Sequence, residues 1–422
     1  MKIWVIKIGE PAPNDADDTR LYRTGMLAQM LAEQNHTVTW WTSTVNHYQK
    51  EQRFHENTTV KINENLDIVY LHSLLYKKNI SISRIINHIG TAHQFEKLSK
   101  TRENPDIILC CLPILELCEA AIRYGKEHNV PVVIDVRDLW PDIFLEFGKS
   151  WSKPLLNLLL TPMFNTVRSI CTQATGITGV TPEVVDWALE YANRSKSEWD
   201  QDFPLAYAPE IPTQDLISQS IDKWKSLGIC QTNNKFIACF CGTMGKHSEL
   251  ETLIEAAYRL KQTNREFQFV FCGSGDRYDY YRSLAKDCDS IIFPGWVGKV
   301  DLFTLMKMSS VGLASYASTY IHSKILTNKP IEYMSCHLPI VSSLDGKLKS
   351  FLSENQCGIT HPNRDVDSLV NILIELYENP QKLQVLSTNA KITHEKNFCP
   401  DKVYGAMIKY LESLDNSVKQ CL

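Results

Sequence analysis

Lys329 and Glu332 are the residues best placed to do chemistry together. They stand three positions apart in Asn328-Lys329-Pro330-Ile331-Glu332-Tyr333-Met334-Ser335-Cys336-His337-Leu338-Pro339-Ile340-Val341. The run reads as loop, short helix, tight turn and buried strand, so the pair falls across the start of the helix. A cation there can grip a phosphate. A carboxylate beside it can accept both hydroxyls of a ribose, and a charged hydrogen bond is worth ~1.5–3 kcal/mol net. The competing reading of Glu332 is an acid in the first helical turn after Pro330, where it simply suits the helix dipole.

A second segment has related chemistry. Phe236–Cys241 reads as a strand, Gly242-Thr243-Met244-Gly245-Lys246 as a turn, and Glu249–Leu260 as the helix it opens. Glycine lets the backbone approach a ligand, and a helix N-terminus offers free N–H groups with about half a positive charge. Lys246 adds a full charge, so a diphosphate would sit well beside Gly245. The alternative is an ordinary turn with a solvated lysine. The pattern is neither a P-loop nor G-x-G-x-x-G. Gly273-Ser274-Gly275 and Gly295-Trp296-Val297-Gly298 close the next two strands. Each alone is a tight turn; three consecutive glycine-ended strands suggest a ligand lying across the strand tips.

In the first half, Ile134-Asp135-Val136-Arg137-Asp138-Leu139-Trp140-Pro141-Asp142 starts in a strand and ends in a charged, aromatic loop. Such groups are costly to bury unpartnered, which points to a cleft-facing role with Asp138 foremost. The alternative is a structural pair of Arg137 with Asp138 or Asp142. The first strand ends at Gly9-Glu10-Pro11, followed by the acidic loop 14–18. Asp287-Cys288-Asp289 resembles a D-x-D metal motif but precedes a strand, at the wrong end of the sheet, and reads as a surface turn. The leucine-rich window Lys153–Ile170, bordered by Lys149, Lys153 and Arg168, reads either as a buried helix or as one lying on a membrane surface.

Short apolar runs alternate with amphipathic windows throughout. Strands are expected at Trp4–Ile8, Val38–Thr42, Ile68–Leu71, Ile107–Leu112, Val132–Val136 and Ile177–Val180, then at Phe236–Cys241, Phe267–Cys272, Ile291–Phe293, Val311–Ala314 and Ile340–Ser342. Thr181-Pro182-Glu183 is a strong helix start. The alternation predicts an α/β protein of two doubly wound parallel sheets, with ligands beyond the carboxyl ends of the strands in an inter-domain cleft. The expected boundaries are 1–205, an irregular connection over 206–234, 235–400, and a C-terminal helix over 401–422 that can pack back on the N-terminal domain.

A length of 422 residues suits two domains, and 44% hydrophobic residues suffice for two cores. A net charge of −4 without a dense basic run argues against nucleic-acid binding. The 13 cysteines lack any C-x-x-C pair and read as reduced, buried small hydrophobes of a cytosolic protein. Neither a signal peptide nor a membrane-spanning run of ~18 residues is expected.

At these residues the chain resembles the nucleotide-sugar glycosyltransferases of family 4, which have the GT-B fold of two Rossmann-like domains. Gly9-Glu10-Pro11 looks like the family's first donor or acceptor loop. Arg23-Thr24-Gly25-Met26-Leu27, Trp40-Trp41-Thr42-Ser43-Thr44, Asp135–Asp142 and Asn328-Lys329-Pro330-x-Glu332-Tyr333-Met334 are similar to a bacterial subgroup that builds O-antigen and capsule repeat units. Within it, the likeness is to the UDP-N-acetyl-L-fucosamine transferases. The resemblance implies that Glu332 binds the ribose, that Lys246 and Lys329 bind the diphosphate, and that the nucleobase contacts Gly295, Trp296 and Val297. It implies a UDP-sugar donor and a polyprenyl-pyrophosphate-linked sugar acceptor at the inner face of the cytoplasmic membrane; with Lys246, Lys329 and the N–H groups near Gly245 neutralising the diphosphate, no metal or other cofactor is expected. It also implies retention at the anomeric carbon, with Asp138 as base should the reaction invert. Two positions depart from the family. Lys324 stands where the family has an upstream glutamate, so that residue's role does not transfer. His337 replaces the glycine after the helix, which would place a histidine in the left-handed region. A UDP-HexNAc 2-epimerase of related fold and a non-catalytic sugar-nucleotide-binding partner are the alternative functions.

Overall fold

A computed structural model describes every residue except 16–18, 80, 147–152, 231–234, 318, 320–322 and 422. The chain divides into two compact units, Met1–Pro204 together with the chain from Pro400 on, and Leu205–Cys399.

The first unit is built on an eight-stranded sheet, ordered β10-β9-β8-β7-β1-β2-β6-β5. Its strands are β1 (Lys2–Ile6), β2 (Thr37–Ser43), β5 (Thr58–Lys61), β6 (Leu66–Leu71), β7 (Ile107–Leu112), β8 (Val132–Val136), β9 (Gly176–Gly179) and β10 (Asp200–Asp202). A hairpin of β3 (Val45–Asn46) and β4 (Glu51–Gln52) stands apart from it. Neighbours run parallel except β5 against β6. β7 and β8 are buried at every residue because helices cover both faces, so they read as unbroken apolar runs. The helix Pro182–Ala192 starts as the sequence predicts: the Thr181 side chain accepts from the Val184 N–H, Pro182 opens the first turn and Glu183 follows. The C-terminal helix Pro400–Cys421 packs on Arg23–Glu33.

The second unit carries a six-stranded, wholly parallel sheet ordered β13-β12-β11-β14-β15-β16. These are β11 (Lys235–Cys241), β12 (Glu266–Cys272), β13 (Ile291–Gly295), β14 (Val311–Ala314), β15 (Ile340–Ser342) and β16 (Gly358–Thr360). Alternation along β11 separates two cores. Ile237, Cys239 and Cys241 enter one, Phe236, Ala238 and Phe240 the other. Cys239 and Cys241 thus serve as small apolar residues, and every cysteine with a described side chain is free.

Two expectations need correction. The stretch 206–234 is not irregular throughout: it holds the helix Gln214–Ser226, capped by Thr213 and anchored by the fully buried Trp224, whose Nε1 donates to the Asp301 carbonyl at 3.0 Å. The helix after Lys246 begins at Glu251, later than Glu249, after an intervening turn.

Candidate functional site

The helix Asn328–Ser335 is fixed by Tyr333. Its hydroxyl accepts from the Cys241 N–H at 3.0 Å and donates to the Leu313 carbonyl at 3.2 Å, tying the helix to the tips of β11 and β14. The ring lies against Gly312, where an added Cβ would fall 2.4 Å from it. Sequence reasoning assigned Tyr333 no role; the signal was a large aromatic next to Glu332.

So held, the first turn aims Lys329 at Gly242. The ammonium sits 4.5 Å from the centre of the Phe240 ring and 4.2 Å from that of Tyr316. Burial pushes the Lys329 amine down to about 8, while Glu332, one turn on, pulls it back up. Burial likewise raises the Tyr316 hydroxyl. The structure therefore brings Lys329, Glu332 and Gly242 together. Gly242 has φ +149°, and a Cβ there would lie 2.4 Å from Lys329 Cε. Gly242→Ala is thus expected to displace the ammonium as well as strain the backbone, lowering turnover by more than its loss of thermal stability accounts for; parallel activity and melting measurements check this.

The glycine turns interlock. Gly242 donates to Cys272 O at 3.0 Å, Gly273 to Gly295 O at 2.8 Å and Met244 to Ser274 O at 2.9 Å. Gly275 is exposed with φ +152°, and a Cβ there would lie 2.4 Å from Met244 O. Close packing of one loop on another already demands glycine at that position, without a ligand. Gly245 is half-buried and Lys246 exposed. The helix end expected beside them is several residues further on and already holds an acid. Glu249, 5% exposed, accepts from the Thr252 N–H at 3.2 Å and hydroxyl at 2.9 Å. Lys329 carries the buried positive charge here, while the Gly242, Gly273 and Met244 N–H groups are already bonded to neighbouring carbonyls. At the β13 tip, Gly295 has φ +79°, Trp296 is 73% exposed and Val297 packs on the core.

In the first unit, the alternative pairing of Arg137 with Asp138 or Asp142 does not appear among the ion pairs of the described residues. Arg137 turns inward, pairing with Glu10 and donating to Asp135 at 2.7 Å. Asp135, fully buried, also takes both Nε and Nη2 of Arg23, at 3.1 and 3.0 Å, and the Thr178 hydroxyl at 2.9 Å. Burial would raise its carboxyl, but the two guanidiniums hold it well below the usual carboxylate range. Asp142 instead accepts from Trp187 Nε1 at 3.0 Å and the Tyr191 hydroxyl at 2.8 Å. Asp138 is left exposed. Gly9, with φ +82°, lies in the loop after β1, against His47. In the acidic loop Asp15 pairs with Arg53; residues 16–18 lie outside the described residues.

Asp289 pairs with Lys261 at 2.9 Å and Cys288 is buried, so that segment is the expected turn before β13. The helix Lys153–Gln173 buries Val167, Ile170 and Cys171, while Leu155, Leu158 and Leu159 are 60–70% exposed. Lys149 lies outside the described residues. Among those described, no helix is long and apolar enough to cross a membrane. His337 has φ +63°, the left-handed conformation its position after the helix implied.

Residues 226–393 match the family model described as glycosyl transferases group 1. Sucrose-phosphate synthase from Thermosynechococcus elongatus is similar over 99% of both chains, with 15% identity and a TM-score of 0.72. Anabaena HepE in complex with UDP is similar over 98% of this chain and 100% of that one, with 13% identity and a TM-score of 0.65. The fold is therefore GT-B, two Rossmann-like domains. In sequence, the alpha-monoglucosyldiacylglycerol synthase of Acholeplasma laidlawii is 23% identical over 194 residues; the match spans 44% of this chain and 46% of that protein.

Proposed function

We propose that this protein transfers a sugar from a UDP-sugar to a hydroxyl of a lipid-linked sugar. The observation that carries the reading is the Lys329 ammonium, sunk between two rings against Gly242, with Glu332 one turn on, inside the segment that matches the group 1 family. The UDP in the Anabaena complex supports the choice of donor.

Lys329, with the exposed side chain of Lys246 and the turn amides near Gly245, meets the negative charge that builds on the β-phosphate. Ammonium groups in that role need no metal ion. Glu332 accepts the ribose hydroxyls, and Trp296 and Val297 flank the base near Gly295. The bond from the anomeric carbon to the β-phosphate oxygen breaks as the bond to the acceptor oxygen forms. With retention, a phosphate oxygen of the departing UDP takes the acceptor proton; with inversion, Asp138 takes it. The Gly9 loop belongs to the acceptor side.

The likeness at Asp135–Asp142 and Asn328–Met334 supports an N-acetylated deoxyhexosamine such as L-FucNAc as the sugar, and O-antigen or capsule assembly as the setting. The name of the Acholeplasma relative places that protein's product on a diacylglycerol. The exposed Leu155, Leu158 and Leu159 support a seat on the inner face of the cytoplasmic membrane.

Glu332→Ala is expected to weaken UDP binding by ~10–100-fold in calorimetry, since a charged hydrogen bond pair is lost; an unchanged Kd would remove Glu332 from the site. UDP release is expected only when donor and lipid-linked acceptor are both present. An epimer formed from a UDP-HexNAc alone would replace this reading with the epimerase.

A further inference from the structure

The first unit gathers cations at the carboxyl ends of β1, β2 and β6, where ligands of such sheets bind. His47 and Lys50 project from the β3–β4 hairpin turn, His47 against Gly9, and Arg84 from the first turn of the helix Ile82–Ser99. Tyr76, 4% exposed, is the hub. Its hydroxyl is 2.6 Å from His47 Nδ1, and its ring carries Lys50 Nζ at 5.1 Å and the Arg84 guanidinium at 5.8 Å. Asn79 steadies both cations: its side-chain oxygen accepts from Lys50 at 2.5 Å and its carbonyl from Arg84 at 2.7 Å. Arg84 also lies over Trp140 at 5.3 Å and donates to His88 Nε2 at 3.4 Å.

Among the described residues the cluster has little counter-charge. Neither Lys50 nor Arg84 is ion-paired with a described carboxylate; exposed Asp138 acts on Arg84 only through space, Glu116 stands 3.8 Å from His88, and Lys7 adds further positive charge beside the histidines. Burial and then Arg84 push the Lys50 amine down, and burial, Lys50, Arg84 and Lys7 push His47 down to about 4. Like charges packed this way cost free energy that an arriving anion recovers. The backbone adds a sign of construction: Lys50 has φ +59°, held by its N–H to the Asn46 carbonyl at 2.9 Å, a conformation asparagine or glycine tolerates better than lysine.

We infer that Lys50 and Arg84, across Tyr76 and beside His47, form a subsite for a phosphoryl group of the acceptor. Two cations suit a dianion better than a carboxylate, and the same chemistry is offered by a lipid-linked pyrophosphate and by a free sugar phosphate. The inference rests on the glycosyl-transfer reading for its link to the acceptor.

The experiment is titration calorimetry on the full chain with saturating UDP, so that any diphosphate site of the second unit is already filled. Inorganic pyrophosphate is the first probe. Lys50→Asn removes the charge yet suits the left-handed turn, so the fold is kept; Arg84→Gln is the second variant. Each is expected to weaken pyrophosphate binding at least ~10-fold while leaving the UDP Kd unchanged, with Arg84→Lys restoring most of the affinity. In turnover, KM for the acceptor rises and kcat changes little, a split that a merely structural role would not give. Farnesyl diphosphate and glucose 6-phosphate separate the sources: tighter binding of the first supports a lipid-linked acceptor phosphate, of the second a soluble one. Pyrophosphate that fails to bind the wild-type chain, or binds it and both variants equally, overturns the inference. Failure of UDP to bind would instead overturn the donor reading, and pyrophosphate titrated without UDP would still report on Lys50 and Arg84.

Discussion

Lys329→Met is expected to lower turnover by ~10²–10³-fold, the usual cost of removing one preorganised charge-stabilising group, while the ligand-free protein melts at the same temperature or higher. The two halves of that result have one cause. The ammonium sits against aromatic rings and a glycine, and burial pushes it down to about 8. A lysine held below its unfolded value of ~10.4 keeps a cost of charge burial in the folded state, on the order of 1–3 kcal/mol. Methionine fills a similar volume without the charge. The sign follows from proton counting: between the folded value of about 8 and the unfolded one, the unfolded chain binds more protons, so this group's contribution makes stability rise with pH in that window. Activity runs the other way. The proton that stabilises the leaving diphosphate is lost as pH rises through about 8, so kcat/KM should fall there. Lys329→Arg should not show that fall, because guanidinium stays charged. Unchanged turnover in Lys329→Met, or a marked loss of stability, would make Lys329 a structural residue.

Asp135→Ala should act in the opposite sense, on folding. Removing the carboxylate leaves Arg23 and Arg137 buried, with Glu10 the remaining acid paired to them among the described residues. Breaking a buried ion pair by deleting one partner costs ~3–5 kcal/mol. Arg23 keeps its bonds to the carbonyls of Phe203 at 2.7 Å and Pro204 at 2.9 Å, so part of the network survives. The carboxyl is held below its unfolded value, so its contribution is fully present above that value and is lost as pH falls through the folded one. Denaturant melts at neutral pH and at progressively lower pH check both points: the variant should start far less stable and show a shallower loss on acidification. Equal stability at pH 7 would mean that the surrounding hydrogen bonds, rather than the charge, hold this region.

The contrast between these two sites shows what could be read from residues alone. Ile107–Leu112, Val132–Val136, Val311–Ala314 and Ile340–Ser342 form strands over the residues their apolar runs mark, because interior strands are buried on both faces. The edge strands Thr58–Lys61, Asp200–Asp202 and Gly358–Thr360 escaped notice: they are short and have too few buried residues for a pattern. Gln214–Ser226 had legible signals in Thr213, Asp215, Lys223 and Lys225, masked by the prolines before it. The Lys329–Glu332 spacing was local and visible. The Phe240 and Tyr316 rings that flank the buried lysine, and the Tyr333 hydroxyl that aims its helix, depend on contacts between distant segments. Arg137 illustrates the limit: of the acids near it in sequence it pairs with Asp135, and its second partner, Glu10, comes from the loop after the first strand.

The helix Pro400–Cys421 lends Tyr404, Met407, Ile408 and Leu411 to a core begun by the first strand. Met407 Sδ lies 3.6 Å from Arg23 Nη2, so the chain's last segment touches the charge network of its first. During synthesis the opening domain must therefore wait, with Arg23 lacking its contacts to Met407 and Tyr404, while the whole of Leu205–Cys399 leaves the ribosome. The nascent N-terminal half is the vulnerable species, and a stop codon near position 399 would strand it permanently unfinished.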